Sequence, residues 1–201
     1  PGKGNTGGTA TFVTENMLFN GSSHQNIKFT EDSSAAGNNQ GYVKYEVDST
    51  GFSGGNTVTV DIAVGSTGSI NSSVDFGVLA VSGGTRLELN IGSGSQPYTH
   101  TKDFYLSGAS SVISNTDLTG ILGGTDVTIA GAGNVINNNG HQLDLSGKNL
   151  TFVVDGTVTN GSSLLVIDDL LVDNDKVTIT IDASAKKGTN FDFVSGTSNL
   201  N

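Results

Sequence analysis

Short segments in which apolar side chains fall two residues apart, each closed by Gly, Asn or Asp, dominate this chain and limit what it can fold into. The pattern is cleanest from Asp126 to Asp182, in DVTIAG, HQLDLSG, NLTFVVDG and KVTITID. Val127/Ile129, Leu143/Leu145, Leu150/Phe152/Val154 and Val177/Ile179/Ile181 each define one buried strand face and leave Thr and Asp for water. The front half repeats the design in Val43/Tyr45/Val47 and Val58/Val60/Ile62/Val64. Helical spacing is an option only in SSLLVIDDLLVDND, where Ser162 could cap a short helix bearing Leu164, Ile167 and Leu171; its Val and Ile content assigns it to a strand. The expectation is an all-β protein of short stacked strands.

Composition supports this. Only 14% of the 201 residues are charged, against the roughly 25% usual in globular proteins. Thr supplies an outward strand face and the 29 glycines, with Asn, supply bends that need a positive φ. The formal net charge of −10 excludes a phosphate-backbone partner, which requires Lys and Arg on one face, so no nucleic acid is expected. Cysteine is absent, which suits bacterial surface proteins that cross membranes unfolded. No apolar run approaches the roughly 20 residues of a membrane-spanning helix. PGKGNTGG at the amino terminus is not a signal peptide; the expected location is extracellular or the cell surface, with a leader removed or a larger chain cut.

Residues 1–8 read as a flexible leader, 9–108 as a β-rich front unit and 109–201 as a β-rich back unit, the two being separate or one continuous domain. Asn20-Gly21 reads as a hairpin joining TATFV to NIKFT, and Ser82-Gly83-Gly84 as one joining FGVLAV to TRLELNIG. In the back unit, Val127, Leu150 and Val177 open similar segments at offsets of about 23 and 27 residues. Irregular repeats of that length, with Gly or Asn at each bend, favour a β-solenoid. An antiparallel β-sandwich of jelly-roll type, with Asn139-Gly140 and Asn160-Gly161 as hairpin turns, is the alternative.

The phrases GAGNVINNNG, LDLSGKNLTFVVDG and GTVTNGSSLLVID resemble rungs of bacterial autotransporter and haemagglutinin-type passenger domains, over residues 120–183. The resemblance implies a right-handed β-solenoid with its Gly/Asn turns at one corner, and an extracellular structural or adhesive role. It carries no catalytic residue to this chain.

Reaction chemistry finds little footing. His24, His100 and His141 lie in or beside polar loops without zinc spacing, and there is no nucleophile elbow, phosphate loop or dinucleotide fingerprint. Asp168, Asp169, Asp173 and Asp175 are the candidate metal ligands. Their carboxylates suit calcium at a bend between strands, and the competing reading is a solvated acidic turn. Tyr42, Tyr45, Phe52, Tyr98, Phe104 and Tyr105 either form a sugar-stacking platform or belong to the core. The first expectation is a non-enzymatic structural or adhesive module of a bacterial cell-surface, S-layer-like or filament-forming protein, whose partners are its own copies or cell-surface glycans. A carbohydrate-binding or phage-fibre receptor-binding module comes second, and a polysaccharide-degrading enzyme third.

Overall fold

The computed structural model describes residues 9–31, 42–64, 72–93, 95, 99–122, 124, 126–173 and 176–200; the leader assigned to residues 1–8 lies outside them. No helix occurs among the described residues. One sheet collects β1 (Thr9–Phe19), β3 (Tyr42–Phe52), β5 (Ser73–Asp75), β6 (Val78–Val81), β8 (Thr99–His100), β9 (Phe104–Ser107), β11 (Asp126–Ala130), β14 (Asn149–Val154) and β16 (Val177–Ile181). The second collects β2 (Gln25–Thr30), β4 (Thr57–Ala63), β7 (Arg86–Ile91), β10 (Ser111–Ser114), β12 (Asn134–Asn137), β13 (Leu143–Asp144), β15 (Ser163–Val172) and β17 (Asp192–Leu200). The chain passes back and forth between the sheets, with β5/β6, β8/β9 and β12/β13 as successive strands of one sheet, and every pairing within either sheet is parallel. The protein is a β-solenoid.

Parallel neighbours cannot be joined by a tight turn. The antiparallel sandwich is thereby overturned, and so are the two hairpins: Asn20-Gly21 and Ser82-Gly83-Gly84 instead carry the chain across from the first sheet to the second. At these corners Gly54, Gly55, Gly83, Gly84 and Gly108 all have positive φ. Their stacking explains why side chains are excluded as well, since a Cβ on Gly54 would lie 2.7 Å from the Gly21 carbonyl.

Val127 pairs with Leu150 and Leu150 with Val177, so the 23- and 27-residue offsets are the register of the first sheet. The same stacking runs through the front half at steps that shorten from layer to layer. Gln25 pairs with Val58, Val58 with Leu87 and Arg86 with Ser111, steps of 33, 29 and 25 residues. The ladder crosses residue 108 unbroken, since β9 pairs with both β6 and β11 and β10 with both β7 and β12.

The inward faces of both sheets form one apolar core, from Tyr45 to Val172. Aliphatic side chains fill its middle, and rings concentrate towards the ends. Phe12 stacks on Tyr45 and Phe19 on Phe52, with Phe29 and Phe76 against them, while Phe152, Phe191 and Phe193 cluster at the other end.

Inside the corner after the first sheet, Asn56, Thr85, Ser110 and Asn134 form a buried polar column. Each takes up backbone groups that the bends leave without strand partners. Thr85 Oγ1 accepts from Gly55 N–H, Ser110 Oγ from Gly84 and Thr85 N–H, and Asn134 Oδ1 from Ser110 N–H. Asn134 Nδ2 donates to the carbonyls of Ala130, Gly131 and Leu164. Satisfying these groups fixes which layer lies on which, because a slip would leave several buried polar atoms unpaired.

SSLLVIDDLLV is a strand with a β-bulge. Between Val166↔Ser195 and Asp169↔Thr197, β15 has two residues, Ile167 and Asp168, where β17 has only Gly196. The extra residue shifts the inward phase, from Leu165/Ile167 before it to Leu170/Val172 after it. That shift produced the helix-like spacing of the apolar positions.

Candidate functional site

The structure describes three of the four acidic candidates, Asp168, Asp169 and Asp173. Asp168 is the outward residue of the bulge and Asp169, next to it, accepts twice from Gln142 Nε2 at 3.1 Å. Asp173 follows the end of β15 and is exposed, and Asp175 lies outside the described residues. Among the described residues, no group of three or more His, Asp or Glu side chains is placed to hold a metal ion. The three histidines are all exposed, although His100 belongs to the short strand β8 and not to a loop. His24 Nε2 lies 3.0 Å from Thr59 Oγ1.

Of the six aromatic candidates, Tyr45, Phe52 and Phe104 are in the core. Burial in this apolar setting pushes the Tyr45 hydroxyl pKa up, partly offset by its contact with Thr50 Oγ1. Tyr105 faces outward from β9 and is partly exposed; Tyr98 and the side chain of Tyr42 lie outside the description. A continuous stacking platform is not assembled from the described rings.

Two shallow hollows mark the flanks. One, of about 370 Å³, lies on the first sheet between Val13, Glu15, Glu46, Asp48, Asp75 and Lys102. Three of its carboxylates are turned to separate partners. Glu46 accepts from Ser73 Oγ at 2.7 Å and from Lys44 Nζ at 3.4 Å, and these hold its pKa below the usual carboxylate range. Asp75 accepts from Gly77 N–H at 2.8 Å, and Lys102 reaches Asp48 at 3.9 Å. No nucleophile with an adjacent base is built here. The other hollow, of about 300 Å³, lies on the second sheet over Ile113, rimmed by Glu88, Asn90, Asn115, Asn137 and Asn139. Asn90 donates to Asp61, and Arg86 with Thr59 binds Glu88; those contacts lower both carboxyl pKa values.

The exposed apolar surface concentrates at the ends. In β16, Val177, Ile179 and Ile181 continue the inward rows of Leu150, Phe152 and Val154, yet stand largely in water. In β1, Phe12 is partly exposed on the inward face, with Val13 and Leu18 exposed on the outer one. Sequence reasoning assigned the inward residues of β16 to the core because alternation reports which way a side chain points, not whether another layer covers it.

Comparison with protein-family models, curated proteins and solved structures finds no match.

Proposed function

We propose that this chain is a non-enzymatic structural or adhesive module of a bacterial cell-surface or filament-forming protein, acting by self-association or multivalent attachment. The observation that carries this reading is the distribution of apolar surface. The core between the sheets is continuous, the described flanks are mainly polar with shallow hollows, and unburied aliphatic side chains gather on the end strands. A stacked body with polar flanks and shallow hollows suits a mechanical task, in which weak contacts between many copies sum through avidity. The autotransporter-like phrases over residues 120–183 support an extracellular setting.

The experiment is microscopy and sedimentation of the purified chain over a range of concentrations, together with binding to intact bacterial and host cells. Growth of assemblies with concentration, or retention on cells, is the expected result. A chain that stays monomeric and binds no cell surface would overturn the reading.

A second reading rests on the hollow over Ile113. The side chains of Asn90, Asn137 and Asn139 rim a small apolar floor, an arrangement that suits sugar hydroxyls in a carbohydrate-binding or fibre-tip module. Glycan arrays with wild type and Asn90→Ala decide it, and empty arrays for the wild type would remove it.

A further inference from the structure

The outer face of the first sheet has an uncharged stretch in the interior of the stack. Its outward row Ala80, Tyr105, Thr128 and Thr151 pairs from layer to layer without a register shift. The row beside it, Ser107, Ala130 and Val153, is uncharged as well. On the second sheet, by contrast, the outward residues of β4 and β7 include Asp61, Arg86 and Glu88, which are engaged in ion pairs. Each strand of the uncharged stretch, from β6 to β14, has a described strand on both sides.

Tyr105 stands out on this face. Among the described residues outside the first and last described layers, Tyr105 and Val166 are the large apolar side chains left exposed, each at 41%. No other described ring packs on Tyr105. A tyrosine in that setting offers an apolar ring face with a polar tip, as the alternating C–H and hydroxyl surfaces of a sugar require. Its row neighbours, Ala80 and Thr128, are both small.

Spacing and charge then name the ligand. Neighbouring strands stand about 4.8 Å apart, close to the advance of one sugar unit in an extended polysaccharide. A glycan lying along the solenoid axis therefore meets one layer per sugar. The unit over Tyr105 stacks on the ring, and the next two have the Thr128 and Thr151 hydroxyls as hydrogen-bond partners. An acidic glycan is disfavoured, because the chain's net charge is −10 and Asp103 and Asp126, two residues before Tyr105 and Thr128, border the row.

We infer that this face binds an extended, uncharged polysaccharide along the solenoid axis, with the Tyr105 ring as its anchor. The inference gives the attachment reading above a ligand class and rests on it, at a place separate from the hollow over Ile113.

The test is retention of the full chain on cellulose, chitin and mannan, with polygalacturonate as the anionic control. Retention on at least one neutral polymer and none on the control is the expected result. Tyr105→Ala should weaken that retention about tenfold, and Tyr105→Phe should keep most of it. Thr128→Lys with Thr151→Lys should weaken it too, whereas Asn90→Ala in the hollow should leave it unchanged. All these side chains lie on outward positions, so each variant should keep the circular dichroism of the wild type.

Three results would overturn the inference. They are a folded wild type that no neutral polymer retains, retention indifferent to Tyr105→Ala but lost in Asn90→Ala, and a Tyr105→Ala effect on sedimentation with none on retention. The first, in a chain that still binds cells, removes this ligand and keeps attachment; without cell binding, attachment falls too. The second moves the sugar to the hollow, and the third makes the face a contact between copies.

Discussion

Leu150, Phe152 and Val154 in β14 and Val177, Ile179 and Ile181 in β16 occupy matching positions one layer apart, and their environments differ sharply. The first three are 0, 1 and 5% exposed, and the second three 41, 52 and 65%. Both strands alternate in the same way, and both point the alternating side chains at the second sheet. What separates them is stacking, because among the described residues β14 has a strand on each side and β16 on one. Burial in a solenoid is a property of neighbouring layers, as expected where each repeat touches only those next to it.

The sharpest way to break this comparison is truncation at equivalent positions. Phe152→Ala should cost about 3–5 kcal/mol, as a large side chain removed from a filled core, whereas Ile179→Ala should cost well under half of that. Urea titrations followed by circular dichroism measure both, and equal losses would mean that the last layer is covered after all.

The polar column provides the next contrast. Asn134→Ala removes one acceptor and one donor group that together serve four backbone groups in the interior, and should cost about 2–3 kcal/mol. Asn160→Ala, which releases only the exposed Asn190 N–H near the last layer, should cost under about 1 kcal/mol in the same titration.

Glycine corners divide in the same manner. Gly77 and Gly188 both have positive φ, but a Cβ on Gly77 would meet the Val47 and Asp48 carbonyls, and one on Gly188 would meet nothing within 4 Å. Gly188→Ala should cost about 1 kcal/mol from backbone conformation alone, and Gly77→Ala clearly more. Thermal melts of the two variants give the order, and a reversal would contradict the stacking at the corner.

The smallest effects belong to the flank carboxylates. Glu46, Asp61 and Glu88 have pKa values held below their ordinary ones, so each stabilises the fold above its unfolded pKa and loses that contribution as pH falls through its folded pKa. Being partly exposed, each pair is worth less than about 1 kcal/mol. Asp61→Asn should lower stability slightly at pH 7 and have no effect at a pH below the folded value, as read from unfolding curves at the two conditions. Assembly should respond oppositely. Near the sequence pI of about 4.4 the net charge is lost, so the proposed self-association should be stronger there than at pH 7, as sedimentation at the two conditions measures.

Much of the architecture was legible. The Val127, Leu150 and Val177 segments align in register at the spacing their sequences show, and the Gly-rich bends are the corners. The front half hid its repeat because its steps of 33, 29 and 25 residues shorten from layer to layer, so that no single period recurs. Ser82-Gly83-Gly84 looked like a hairpin because a tight Gly-rich bend serves a reversal and a corner equally well; the partner strand decides between them. SSLLVIDDLLV looked partly helical because one extra residue in a strand moves its apolar phase.

The sequence by itself determined that this chain is made of strands, which side of each strand is apolar, and where the backbone must bend. Those are local matters, set by side-chain alternation and by the few residues that tolerate a positive φ. Only the tertiary structure decided that neighbouring strands run parallel, that Asn134 and Ser110 lie inside, and that Ile179 and Ile181 reach water. Each of these depends on which strand lies alongside, and hydrophobic burial and hydrogen-bond satisfaction are settled between layers that stand 23 to 33 residues apart in the chain.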